Sequence, residues 1–216
     1  MAINKPFLSF YCALRGLLLL RIYFLNESEK IARLKTGDKE AFEWLVKNFQ
    51  SKVYNLCLGL LQNMEDAEDI SQEVFIAVFQ SINSFKEQSS LSTWIYRIAT
   101  TKSLEFLRMK KRKKRFGFLQ ALFTNEKGEL KTDQAHFYHP GVLLENKERS
   151  AILFGAIEQL PENQKTAFVL HKLENLSYAE VSEVMKVSVS SVESLMFRAK
   201  GNLKKLLEQY YEKNEK

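Results

Sequence analysis

Apolar residues recur at spacings of three and four in three stretches between residues 39 and 107, and this periodicity constrains the fold most. It is clearest in KEAFEWLVKNFQSKVYNLCLGLLQN and returns in MEDAEDISQEVFIAVFQSINSF and in TWIYRIATTKSLEFLRM. The chain of 216 residues has only 8 Gly and 3 Pro, so signals for turns are sparse. The sequence therefore predicts an all-α fold built from long helices. The apolar face of the first stretch consists of Phe42, Leu45, Val46, Phe49, Val53, Leu56, Leu60 and Leu61.

Several polar residues stand where helices are expected to begin. Asp38 precedes the first long stretch and is predicted to cap it. Ser92 or Thr93 is predicted to cap the helix that contains TWIYRIATTKSLEF. Ser177, with Glu180 three residues later, has the spacing of a capping box.

The composition changes after residue 115 and divides the chain. Residues 116–145 contain Gly117, Gly128, Pro140 and Gly141, and their apolar residues show no sustained period. This segment is therefore predicted to form a flexible linker. Helical patterns return in residues 146–216. We therefore expect two small helical domains, 26–115 and 146–216, on either side of the linker.

Residues 1–25 are strongly apolar but contain Arg15 and Arg21. Their charge-free runs are shorter than the about 20 residues that a spanning helix needs. The segment also lacks a small-residue cleavage site of the kind that follows a signal peptide. We interpret it as an atypical extension that precedes the first domain, with an amphipathic surface helix as the alternative.

The formal charge of +6 is unevenly distributed. Residues 65–73 hold five acids and no base, whereas residues 108–115 hold seven bases and no acid. This separation predicts two different partners for one domain. The basic run alone fits a DNA-binding element, a targeting signal or the solvated end of a helix. Cys12 and Cys57 lack the spacing of a zinc site or a disulfide framework, which favours a reducing cytoplasm.

The segment LSYAEVSEVMKVSVSSVESLMFRAKGNL has the pattern of a helix-turn-helix. Its first helix is expected to bury Ala179, Val181, Val184 and Met185, and its second to bury Val192, Leu195, Met196 and Ala199. The N-terminal part of a second helix of this kind reaches base edges in the major groove of DNA. Any amphipathic helix pair fits the pattern to some extent, so the motif alone leaves a purely structural role open.

Three motifs in order, EDAEDISQEVFIAVFQSINSF, STWIYRIATTKSLEFLRMKKRKKR and the helix-turn-helix, together resemble an extracytoplasmic-function sigma factor of the bacterial sigma-70 family. The resemblance covers about residues 27–115 and 147–210. It implies a region 2 helical bundle and a region 4 helix-turn-helix. It also implies a dissociable sigma factor that directs promoter-specific transcription initiation with core RNA polymerase.

The resemblance implies that the acidic helix docks on the clamp helices of the polymerase largest subunit. The side chains assigned to this contact share one helix face because they lie at i, i+3, i+6 and i+7. The same pattern is typical of a solvated acidic face. A metal site or a nucleic-acid enzyme built on Glu65 and its neighbours lacks a second cluster of ligands, so no metal and no cofactor is expected. The assigned residues are Asp66, Asp69, Gln72 and Glu73.

The loop SFKEQSSLST and the following helix match the part of the family that captures unpaired bases of the −10 element. Single-stranded bases bind by stacking on aromatic rings and in polar pockets. Thr101 stands where many members have Asn, and Glu105 where many have Asp, so a different −10 preference is expected. The basic run is expected to clamp DNA phosphates without reading sequence. The residues assigned to −10 DNA are Lys86, Ser90, Trp94, Tyr96, Arg97, Thr101, Arg108, Lys110, Lys111 and Arg112.

The helix-turn-helix matches the family positions that face the −35 element. Glu193 and Leu195 depart from the basic residues that are frequent there, and residues 144–216 sum to zero charge. Weak binding of this half to isolated −35 duplex is therefore expected. The assigned residues are Tyr178, Ser190, Ser191, Glu193, Ser194, Phe197, Arg198 and Lys200.

The expected partners are core RNA polymerase, promoter DNA and an anti-sigma factor, which in the family is usually membrane-associated. No catalytic residue, no small-molecule substrate and a bacterial cytoplasmic location are expected. The main alternative is an ordinary helix-turn-helix regulator that binds duplex DNA without polymerase.

Overall fold

The computed structural model describes residues 26–124 and 147–214, which fold into eight α-helices and contain no strand. This confirms the all-α prediction. The N-terminal extension and most of the predicted linker lie outside the described residues. The first group of helices is α1 (Glu27–Lys35), α2 (Lys39–Leu61), α3 (Met64–Ser81) and α4 (Leu91–Thr124). The second group is α5 (Lys147–Glu158), α6 (Glu162–Phe168), α7 (Tyr178–Met185) and α8 (Val189–Asn214).

Helices α2, α3 and α4 pack against one another and form the core of the first group. The predicted apolar face of α2 is confirmed, since Leu45, Val53, Leu56 and Leu60 are at most 1% exposed. The buried surface is wider than that face and includes Ala41, Trp44, Cys57 and Leu58. The reason is that α3, α4 and a π-helical turn at Val169–Leu173 all contact α2.

The helix starts follow local side-chain chemistry. Asp38 accepts a hydrogen bond from the Ala41 amide at 2.9 Å, which confirms it as the cap of α2. Ser177 and Glu180 form the predicted capping box of α7. The prediction of Ser92 or Thr93 as the cap of α4 is wrong: the Ser90 hydroxyl accepts from the Thr93 amide at 3.1 Å. The helix starts earlier because Leu91, its first residue, is buried in the core.

Helix α4 continues through residues 116–124, beyond the end that the sequence suggested. Gly117 is the only glycine in this part of the helix. One helix-interior glycine costs about 1 kcal/mol relative to alanine, which the surrounding strong helix formers offset. The basic run at residues 108–115 therefore lies inside a long helix.

In the second group, α8 packs against α5, α6 and α7. Val181 and Val184 of α7 and Val192, Met196 and Ala199 of α8 are buried as predicted. The expected burial of Ala179 is wrong, because this residue is exposed. On a helix of 3.6 residues per turn, position 179 lies roughly opposite positions 181 and 184.

The two groups of helices also contact each other. Helix α4 packs on α7, and α2 packs on the π-helical turn. The buried apolar residues of both groups belong to one core cluster. Within the described residues, no helix is both long and apolar enough to cross a membrane.

Candidate polymerase and nucleic-acid interfaces

The acidic face of α3 lies at the surface of the first group. The helix buries Ala67, Ile70, Val74 and Val78 against the core, which turns the intervening positions towards solvent. The four residues assigned to core polymerase share this outward side. Asp69, Gln72 and Glu73 are exposed, whereas Asp66 is partly buried.

Two lysines of α4 reach the acidic residues of α3. Lys110 Nζ lies 2.6 Å from Asp66 Oδ2, and Lys102 Nζ lies 3.4 Å from Glu73 Oε2. The Glu73 side chain remains 55% exposed in its pair. Exposed ion pairs of this kind contribute about 0–1 kcal/mol, so both acids can exchange these partners for another protein. The acidic and basic surfaces of the first group therefore adjoin along α3 and α4.

Lys86 and Ser90 flank the exposed loop between the 3₁₀ turn at Ile82–Ser84 and α4. Ser90 caps α4, so its hydroxyl holds the helix start as well as facing this loop. Trp94 is partly buried, and its ring centroid lies 5.1 Å from that of Phe85, which is itself buried. The core thus fixes the orientation of the Trp94 ring while one part of it stays at the surface.

The next residues of α4 point at the second group of helices. Tyr96 is 6% exposed, and its hydroxyl donates to Glu174 Oε2 at 3.1 Å. Arg97 donates from Nη2 to the backbone carbonyl of Glu183 at 2.7 Å. Thr101 is exposed. In this arrangement the Tyr96 ring has no free face for stacking on a base.

The basic end of α4 forms an open groove of about 430 Å³, lined by Glu105, Arg108, Lys111, Arg112 and Arg115. These residues share a helix face because they are three or four positions apart. Their cationic side chains are exposed, as phosphate binding requires. Arg108 also contacts the second group, donating from Nη2 to Glu162 Oε1 at 2.6 Å.

The N-terminal part of α8 presents the predicted polar face. Glu193, Ser194 and Arg198 are exposed, and Phe197 is 81% exposed. Ser190 and Lys200 are exposed and Ser191 is partly buried. Tyr178 lies at the start of α7, where its ring centroid is 4.6 Å from that of His171.

Sequence reasoning missed two acids that complete contacts between the groups. Glu162 begins α6, and Glu174 follows the π-helical turn. Burial raises the pKa of the Glu174 carboxyl to about 7, against the smaller opposing effects of Tyr96 and Lys52. The periodic pattern carried no signal for either contact, because each partner lies more than 50 residues away. Within residues 26–124 and 147–214, no three acidic, histidine or cysteine side chains are grouped as a metal site would require.

Two family models match this chain on the two groups of helices. The model described as Sigma-70 region 2 matches residues 45–113, and the model described as Sigma-70, region 4 matches residues 150–203. The matched ranges contain the acidic face of α3, most of the basic run of α4 and the polar face of α8. The fold and these matches define a promoter-recognition subunit of the sigma-70 type.

Curated relatives give the particular family. The chain is 34% identical over 183 residues to the ECF RNA polymerase sigma factor SigW of Bacillus subtilis, covering 83% of this chain and 95% of the relative. It is 35% identical over 186 residues to the ECF RNA polymerase sigma-E factor of Haemophilus influenzae, covering 82% and 92%. The chain belongs to the extracytoplasmic-function sigma factors, which direct promoter recognition by RNA polymerase.

Solved structures share the fold at low sequence identity. CnrH, in complex with the cytosolic domain of CnrY, superposes with a TM-score of 0.59 at 18% identity, covering 85% of this chain and 97% of CnrH. The sigma factor RpoE of Bartonella quintana, in complex with the anti-sigma factor NepR, gives a TM-score of 0.58 at 16% identity, covering 77% and 96%.

Proposed function

We propose that this sigma factor uses three separate surfaces to bind core polymerase, the −10 element and the −35 element. The acidic face of α3 binds core polymerase, the α3–α4 loop and α4 bind the −10 element, and α8 reads the −35 element. The observation that carries the proposal is the surface position of the acids on α3, beside the basic side chains of α4. A regulator that binds duplex alone has no need of an acidic docking face next to its phosphate-binding surface.

The −10 assignment is supported by the chemistry of α4. Trp94 offers an aromatic edge fixed by Phe85, Thr101 is exposed farther along the helix, and the basic groove follows. The groove binds phosphates and gives affinity that falls with salt, whereas base selection is the task of the loop and the first turns.

The −35 assignment is supported by the exposed face of α8. Ser194 and Arg198 can donate to base edges, and Glu193 can accept from cytosine N4. Phe197 offers apolar contact to a thymine methyl group. The zero net charge of residues 144–216 weakens attraction to phosphate, so this module depends on polymerase for its position on the duplex.

The remaining parts of the proposal concern chemistry and regulation. The chain supplies no covalent step of its own and acts in the bacterial cytoplasm. Two similar folds, CnrH and RpoE, are each held in a complex, one of them with a named anti-sigma factor. We include an anti-sigma factor among the partners of this chain on that basis.

Transcription from promoter libraries tests whether α4 reads the −10 element and α8 reads the −35 element. With core polymerase and templates randomised at −10 or at −35, Thr101→Asn is expected to change base preference only at −10. Ser194→Ala is expected to change it only at −35, by about 1–3 kcal/mol at the affected base pair. Lys204→Gln, on the far part of α8, is the control and should change neither. A change at −35 caused by Thr101→Asn would contradict the assignment.

A further inference from the structure

Helix α1 contacts the loop of residues 85–90 that precedes α4, called the −10 loop below because it is proposed to bind that element. Lys35, the last residue of α1, places Nζ 2.9 Å from Oε1 of Glu87 in this loop. Glu27, the first residue of α1, accepts a hydrogen bond at Oε1 from the Leu91 amide at 3.2 Å. The two ends of one helix therefore hold the middle of the −10 loop and the start of α4.

The contact of Lys35 extends to the aromatic rings behind the −10 loop. Its Nζ lies 6.0 Å from the centroid of the Phe85 ring, at the outer limit of a cation–π interaction. Phe85 is 4% exposed, and its ring centroid lies 5.1 Å from that of Trp94. Lys35 thus contacts both an acid of the −10 loop and the ring that orients Trp94, the proposed aromatic contact for unpaired bases.

The backbone of the −10 loop is strained at Glu87. This residue has a φ angle of 57°, in the left-handed region that residues other than glycine rarely adopt. A conformation of this kind persists only where the surrounding structure holds it. Because residues 86–88 are exposed, burial of their own side chains cannot hold the loop. The contacts with α1 provide this support from outside the loop.

We propose that α1 braces the −10 loop, and that Lys35 and Glu27 are positioning residues for −10 recognition. Each acts through another residue of the chain, so neither has to touch DNA. The brace itself consists of contacts within the chain, whereas its effect on promoter choice rests on the proposed −10 function of the loop. The matched region 2 model begins at residue 45, so base preference at −10 depends on a helix outside the matched range.

The ion pair of the brace lies at the surface. The side chains of Lys35 and Glu87 are 30% and 44% exposed, so solvent and salt screen their attraction. Exposed pairs of this kind contribute little to the stability of a whole domain. Loss of the pair is therefore expected to change the −10 loop and to leave the fold intact.

Amide hydrogen exchange of the full free chain, followed by mass spectrometry, tests the brace without DNA or polymerase. Lys35→Gln removes the ion pair, and residues 85–91 are expected to exchange about two- to fivefold faster than in the wild type. Glu27→Ala removes the acceptor of the Leu91 amide and should speed exchange in the same segment. Lys39→Gln makes the same charge change as Lys35→Gln at an exposed position of α2 and should have no effect. Unchanged exchange in both Lys35→Gln and Glu27→Ala would overturn the brace.

In vitro transcription with core polymerase and templates randomised at −10 tests what the brace positions. Lys35→Gln and Glu87→Gln are each expected to reduce the preference for the best −10 sequences over poorer ones by about two- to fivefold. The double variant should lose no more than either single variant, because both changes remove the same contact. The Glu87→Gln result is diagnostic, since removing an anion beside DNA otherwise strengthens binding to phosphates. Lys39→Gln is again the control and should leave the preference unchanged.

A direct contact between Lys35 and a DNA phosphate predicts a different pattern. Lys35→Gln would then weaken all promoters alike, Glu87→Gln would strengthen them, and the two effects would add. That pattern would overturn the positioning role. If exchange of residues 85–91 responds as expected while −10 preference changes in no variant, the brace stands and the assignment of the loop to −10 DNA fails.

Discussion

Glu174 differs from the acids of α3 because its carboxyl group is packed at the contact between the two groups of helices. Its surroundings are Tyr96 of α4, which donates to it, and Lys52 and Cys57 of α2, which interact with it electrostatically. Glu180 of α7 also interacts electrostatically with Tyr96. Burial dominates this balance and raises the pKa of the Glu174 carboxyl to about 7.

The position of Glu174 predicts that the contact between the two groups of helices depends on pH. When the two groups separate, the carboxyl returns to an ordinary pKa of about 4.3, so the packed arrangement binds more protons than the separated one between these two values. The stability of the contact is therefore highest below about pH 4.3, falls as the pH rises towards about 7 and levels off above it. The radius of gyration of the free chain should increase between about pH 4.3 and 7 and change little at higher pH.

Glu174→Gln isolates this titration from every other group in the contact. The amide stays neutral, so the variant should keep the contact between the two groups of helices at pH 8 and show a flatter pH profile than the wild type. A profile identical to that of the wild type would show that another group titrates. Scattering curves recorded at constant ionic strength in steps from pH 4 to 8.5 make the comparison.

At the scale of helices, what sequence reasoning predicted was local. Asp38 and Ser177 act on amides three residues away, and the apolar face of α2 repeats every three or four positions, so both are visible in the amino-acid sequence. The sequence-based prediction placed the start of α4 too late. The actual start depends on the burial of Leu91 in the core, which only the tertiary structure determines. The partners of Tyr96 and Arg108 lie 78 and 54 residues away and follow no periodic rule.

The difference between local spacing and long-range contacts also decides which features of the candidate surfaces could be predicted. The acidic face of α3 and the polar face of α8 follow from spacing along one helix, and the structure brings each set to one side. The basic run was visible as composition alone, whereas its pairing with Asp66 and Glu162 depends on how α4 crosses its neighbours. Because Lys110 is paired with Asp66, we expect it to be a weaker phosphate ligand than Lys111, Lys113 and Lys114.

The basic end of α4 should contribute to DNA affinity in a salt-dependent way that does not depend on sequence. Changing Lys111, Lys113 and Lys114 to Gln should weaken all promoters alike in the polymerase complex. The slope of log affinity against log salt should fall by up to about 2.7, or about 0.9 for each phosphate that is no longer neutralised. Lys204→Gln is the matched control and should leave the slope unchanged. A weakening confined to particular −10 sequences would show that these lysines read bases.

At the scale of the whole molecule, the proposed function gives the two groups of helices complementary roles. The first group carries the acidic face proposed to bind core polymerase and the basic surface proposed to bind DNA. The second group carries the exposed face of α8 proposed to read the −35 element, and residues 144–216 have no net charge. Core polymerase would then place each group on its own DNA element.

In vitro transcription with purified core polymerase tests this account most directly. Core polymerase with the wild-type chain should initiate at defined sites on a promoter library, and core polymerase alone should not. Glu73→Lys should abolish this initiation by reversing charge on the docking face. Glu208→Lys, an equal change at an exposed position on the far part of α8, should retain it. Initiation that is undiminished in Glu73→Lys, or absent with the wild-type chain while that chain binds duplex on its own, would contradict the account.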